Sequence, residues 1–253
     1  MIKYILLFSI CLINISYAQK NKTLNIKYKA VYNYISKPDS TKNSILEQKM
    51  ILYVGEKFSL FQNFYKEKLD SVDIAHTISK GDIIVDLSKI KIPKINYIIL
   101  KDNTINKIVF TEKLESANIG YIDDISDLNW QITNEKTEIN GYNCIKAKTF
   151  FRGRHFIAWF TQEIPFQDGP YKFSKLPGFI IQLKDAQEYF IFNLISFERQ
   201  INKQILYDEQ FFTIDKKDYY IKKINYYNNL FLETNKSNQK MKKITYNPIE
   251  LKL

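Results

Sequence analysis

The chain has 253 residues, 45% of them hydrophobic, with 37 Lys and Arg against 27 Asp and Glu and a formal net charge of +10. That length and apolar content suffice for one large core, while the basic excess is scattered Lys and forms no clustered stripe of the kind that tracks phosphates. Two Cys and two His argue against both a disulfide framework and a closed zinc site.

The opening residues, MIKYILLFSICLINISYAQ, begin with basic Lys3, run apolar from Tyr4 to Ile15 and end on small residues at Ser16 and Ala18. This is the layout of a cleavable export signal, and its apolar run is shorter than the about 20 residues of a membrane span. Cleavage after Ala18 is expected, leaving a signal peptide over 1–18 and a single β-rich domain over 19–253. Cys144 is then the one thiol of the mature chain. With no second long apolar run, the exported protein is expected in the periplasm or outside the cell, not transmembrane after cleavage, and with no nucleic-acid partner.

Along the mature chain, LNIKYKAVYNYIS puts Leu24, Ile26, Tyr28, Ala30, Tyr32 and Tyr34 on one side, the two-residue period of a half-buried strand. Met50–Val54 and Phe58–Phe61 supply two further short strands. From residue 62 to 80 the apolar spacing widens, which fits a helix or an irregular excursion carrying His76. Strands resume at 96–100, 107–111 and 120–124, and Asn140-Gly141 between two β-prone runs marks a tight turn. Cys144, on the strand that follows, reads as a small core hydrophobe.

HFIAWFT sets His155, Ile157, Trp159 and Thr161 against Phe156, Ala158 and Phe160, and FIIQL and YFIFNLISF repeat this two-sided apolar pattern. Antiparallel sheets commonly show water one polar face; here both faces ask for cover. A helix over 214–232 with Thr213 as N-cap is the best cover for one face, with a second sheet layer or a bound apolar ligand for the other, and KKITYNPIEL closes the chain as a strand entering a turn at Asn247-Pro248. The expected fold is mainly β (α+β): a curved antiparallel sheet or half-barrel with one or two packed helices.

Seven Gly and six Pro serve the whole chain, yet GPYKFSKLPGFI, residues 169–180, holds two of each. Leu176-Pro177-Gly178-Phe179 suits a type II turn, with Pro preset at the second position and Gly at positive φ at the third. Ile164-Pro165 ends the preceding strand, and Asp168-Gly169-Pro170 bends the chain again. Gly169, Pro170, Pro177 and Gly178 are therefore expected to be structural corner residues. Arg occurs three times, and Arg152 and Arg154 sit two apart. A forked guanidinium makes them better binding candidates than any Lys, the alternative being structural bonds to a carboxylate or loop carbonyls.

Trp130, Gly141, Tyr142, Cys144, Ala147, Phe151, Gly153, Arg154, Ala158, Trp159, Phe160, Thr161, Ile164, Pro165, Gly169, Pro170, Leu176, Pro177, Gly178 and Ile180 together resemble the GLPGLI family. These are secreted or periplasmic proteins of unknown function from Gram-negative bacteria, named for that six-residue stretch. Lys175 stands where the naming motif begins with Gly, and Phe179 replaces its Leu. The resemblance implies export and a β-rich domain, and carries no catalytic residue and no cofactor.

Three functions compete. The leading expectation is a non-catalytic envelope binding protein holding an apolar, lipid-like or peptide ligand, with Arg154, Trp159, Pro165, Leu176 and Phe179 as ligand- or partner-binding residues. The second is a structural or interaction partner of an outer-membrane protein, with no small ligand. The third is a hydrolase in which His155 works with Glu163 or Asp168, although no nucleophile elbow, metal-binding His pair or phosphate-cradling Gly loop is present.

Overall fold

The two-residue alternation resolves into twelve strands of one open sheet. A computed structural model describes residues 21–41, 44–66, 94–124, 128–208, 210–234 and 246–252. The export signal, His76, most of the 62–80 excursion and the start of the expected last strand lie outside these residues. The strands are β1 (Asn21–Ser36), β2 (Leu46–Gly55), β3 (Phe58–Asn63), β4 (Ile98–Asp102), β5 (Lys107–Leu114), β6 (Ala117–Asp124), β7 (Gln131–Ile139), β8 (Tyr142–Phe151), β9 (Arg154–Thr161), β10 (Phe179–Asp185), β11 (Phe190–Asp208) and β12 (Phe212–Thr213). Their order across the sheet is β12-β6-β5-β4-β3-β2-β1-β11-β10-β9-β8-β7. Every pairing is antiparallel except that of β12 with β6.

This corrects the expected fold class. The sheet is open rather than a half-barrel, and α1 (Lys216–Thr234) is the one helix among the described residues, so an α+β arrangement with packed helices does not hold. The apolar strand faces that asked for helices are met chiefly by loop segments of the chain itself.

Side-chain facing departs from the expected pattern in β1. The register slips between Ile26 and Tyr28 against both β2 and β11. A bulge inserts one residue and sends the following side chains to the other face. Leu24 and Ile26 accordingly join the core cluster of Val31, Ile51 and Leu60, whereas Ala30, Tyr32 and Tyr34 join the larger cluster on the opposite face.

In β9, Phe156, Ala158 and Phe160 are buried, but His155 is exposed and Ile157 and Trp159 are half-buried, so one face does meet water. The stem of Lys146 reaches over that face and places Nζ 5.7 Å from the centre of the Trp159 ring, covering apolar surface while the ammonium pairs with Glu135 at 2.7 Å.

The hairpin expected at Asn140-Gly141 forms, with φ of 54° and 79° at the two turn residues and Ile139 paired with Tyr142. Two successive positive φ values match the right-handed twist of the flanking strands. Arg152-Gly153, with φ of 49° and 90°, joins β8 to β9 in the same way.

Helix α1 starts two residues later than its periodicity suggests. Phe212 and Thr213 pair with Ile119 and Gly120, and the Ile214 amide donates to the Gly120 carbonyl at 2.9 Å. Those backbone groups are committed to the sheet, so helical bonding begins only with the Tyr219 amide donating to Asp215 O at 2.9 Å.

Candidate functional site

The corner-rich segment 162–178 lies on the face of the larger core cluster and fills it. Phe173 packs 4.6 Å from Phe156, 5.0 Å from Phe151 and 6.1 Å from Trp130, ring centre to ring centre. Tyr171 meets Tyr97 edge-on at 5.7 Å, Phe166 packs 4.2 Å from Tyr28, and the Tyr32 hydroxyl donates to Ile180 O at 2.6 Å. Beneath the segment, Lys101 of β4 is buried. Its ammonium pairs with Asp168 and donates to Gly169 O at 2.8 Å, so one cation satisfies both a carboxylate and a carbonyl that the fold removes from water.

The corner around Pro177 forms, but it is not a type II turn. The Gly178 amide donates to Leu176 O at 2.7 Å, closing a three-residue γ-turn. Lys175 has φ of 70°, the left-handed region that favours Gly. Lys175 therefore carries backbone strain at this corner. Gly169 sits against Ile180, and Pro170 is buried with its carbonyl accepting from the Phe173 amide at 3.1 Å.

A strap formed by 246–252 closes over the other end of the segment, and Arg154 holds it. The guanidinium binds Asn247 Oδ1, donates to Pro248 O at 2.8 Å and lies 3.5 Å from Asp185 Oδ2. The Arg152 carbonyl accepts from the amides of Leu251 and Lys252 at 2.8 and 3.0 Å. Glu250 on the strap accepts from Tyr171 at 2.6 Å and pairs with Lys172 at 2.8 Å and Lys216 at 2.7 Å.

Lys172 and Lys216 also reach Asp123 at 3.1 and 2.9 Å, and Arg152 reaches it at 3.0 Å. One ionic cluster therefore ties the filling segment, β6, α1, the β8–β9 turn and the strap together. Burial works against ionisation of Asp123, but Lys172, Lys216 and Arg152 outweigh it and hold the carboxyl at about 2, against an ordinary 3.8.

With the folded value below the unfolded one, the linked stability is present above about pH 4 and lost as pH falls towards 2. Allowing for solvent screening, it amounts to about 1 to 2 kcal/mol. Urea unfolding followed from pH 5 to pH 2 should show this loss, and Asp123→Asn should flatten it. An unchanged acid slope in Asp123→Asn would remove Asp123 as its source.

The residues singled out from the sequence are not gathered into one site. Arg154 is buried in the strap contact, Trp159 lies on the alternate face of β9, Pro165 is exposed at its corner, and Leu176 and Phe179 are core. The proposed acid-base residues are likewise dispersed. His155 lies 4.9 Å from the Phe150 ring, Asp168 is bound to Lys101, and Glu163 accepts from the Asn143 amide at 2.8 Å. Burial pushes the Cys144 thiol up to about 11, as befits a core residue. Among the described residues, no three His, Cys, Asp or Glu side chains converge as a metal site.

Two spaces remain. One is a depression of about 570 Å³, open to solvent, framed by Trp130, Gln131, Ile132, Lys175 and Pro177 at the start of edge strand β7. Trp130 is fixed there by its Nε1, which donates to Ser174 O at 2.9 Å. The other is a cavity of about 90 Å³ under α1 and the strap, walled by Tyr34, Tyr97, Tyr227, Tyr246, Glu112 and Lys223 among others. The sequence hid Lys101, Lys172 and Lys223 because Lys is common throughout; the one local signal was a Lys inside the apolar run IILKD.

These features define an open, single-sheet β protein whose large apolar face is filled by its own loop. A family model described as a protein of unknown function (Porph_ging) matches residues 152–182, from the β8–β9 turn through the filling segment into β10. The fold is similar to that of PNGF-II in crystals of space groups P21 and C2, each with a TM-score of 0.52 and 16% identity over 78% of this chain. This chain spans 33% and 32% of those two chains, and at that identity the likeness is one of fold alone. No curated protein matches it.

Proposed function

We propose that this is an exported, non-catalytic interaction protein of the cell envelope, of the GLPGLI type, which meets a protein partner at the depression beside Trp130. The observation that carries this reading is how segment 162–178 divides. Its inward residues, Tyr171, Phe173 and Leu176, are spent on core packing, while exposed Lys175 and Pro177 frame the wide depression at the start of β7. Lys175 on the rim of a basic chain favours an acidic partner surface, which steers encounter and sets register.

An apolar ligand held against the sheet is less well supported, because the face is filled and the remaining cavity of about 90 Å³ is well below the several hundred Å³ of usual ligand pockets. Photo-crosslinking residues placed at Gln131 and Lys175 in cells should give the same discrete protein adduct, reduced several-fold by Trp130→Phe or by reversing charge at a neighbouring rim position. A probe at Glu198, on β11, serves as the control. Identical adducts from all three positions, or none, would refute the docking site.

A further inference from the structure

The cavity under α1 and the strap is independent of the docking surface. Glu112, from β5, accepts from the Tyr219 hydroxyl and pairs with Lys223, both on α1, so the charges in its wall are balanced. The remaining polar wall is phenolic. Tyr97 Oη is shielded from solvent without a well-formed hydrogen bond and adjoins the Tyr34 hydroxyl. Tyr227 and Tyr246 stack at 4.7 Å and complete the wall from the helix and the strap.

Burial pushes the Tyr227 phenol up to about 12 and raises Tyr97 and Tyr246 as well. These hydroxyls therefore stay protonated, each able to donate and to accept. Tyr97 and Tyr34 use only part of this capacity on each other, and the buried remainder marks a place for an ordered polar guest.

We propose that this cavity binds a small, uncharged polyol of three or four carbons, its hydroxyls bonded by Tyr34 and Tyr97 and its C–H groups lying on the tyrosine rings. Size supports this class: about 90 Å³ holds about six to nine water-sized groups, at about 10 to 15 Å³ each. Charge supports it too, because Glu112 is already neutralised by Lys223 and bonded by Tyr219, which leaves an ionic guest no buried counter-charge and favours a neutral one.

The test uses the mature full chain, 19–253, with glycerol and erythritol as probes, acetate and methylammonium as charged counterparts, and saturation-transfer NMR titration as readout. One of the polyols should saturate in the millimolar range, without competition from either ion. Tyr97→Phe keeps the ring and removes the hydroxyl, and should weaken binding about fivefold, the worth of one neutral hydrogen bond. Tyr142→Phe, outside the cavity, should leave binding unchanged, and circular dichroism melts establish that both variants fold. Failure of both polyols to saturate, equal binding by Tyr97→Phe, or tighter binding of an ion would each overturn the assignment and leave a water-filled cavity.

Discussion

Replacing Lys101 with Ala is expected to lower the unfolding free energy by about 3 to 5 kcal/mol. The side chain is 1% exposed, and its partner Asp168 is 9% exposed. Deleting the cation strands a buried carboxylate and removes the donor to Gly169 O, and an uncompensated buried charge costs more than the pair itself contributes. Lys101→Met with Asp168→Asn removes both charges at similar volume and should recover most of the loss. Urea unfolding of the two single variants and the double variant at neutral pH measures this. A loss below about 1 kcal/mol in Lys101→Ala would mean that the pair behaves as an exposed one.

Gly178→Ala should cost about 3 kcal/mol, more than backbone conformation alone demands. An added Cβ would stand 2.1 Å from Thr161 O and 2.8 Å from Thr161 C, in a backbone held at φ of 156°. Since β9 ends at Thr161 and pairs there with Phe179, neither strand can withdraw without breaking the corner, and the overlap adds to the conformational penalty. Gly141→Ala is the control: its φ is 79° but nothing lies within 4 Å of the added carbon, so only about 1 to 2 kcal/mol is expected. Equal losses in urea unfolding would show that close approach to Thr161 plays no part.

Much of the local structure was legible from residue order. The strand at HFIAWFT, the Asn140-Gly141 hairpin, the corners at Pro165, Gly169-Pro170 and Pro177-Gly178, and the core placement of Cys144 all follow from period-two alternation or turn chemistry within a few residues. The candidate site was not legible in that way. Arg154 invites assignment to a ligand, but its partners Asn247 and Pro248 lie 93 and 94 positions away in sequence, and only folding reveals that a guanidinium has been used internally.

The sequence by itself determined that this chain builds strands with apolar side chains on both faces, punctuated by sharp corners between 164 and 180. Only the tertiary structure decided what covers those faces. Periodicity reports a need for burial but cannot name the segment that meets it, and loop 162–178 and strap 246–252 supply cover that was expected from packed helices or another layer. The bulge at Ile26–Tyr28 likewise depends on how β1 registers with β2 and β11 at once. That register is set across strands by packing and pairing, and it sends Leu24 and Ile26 to one face and Tyr32 and Tyr34 to the other although their spacing along the chain is even.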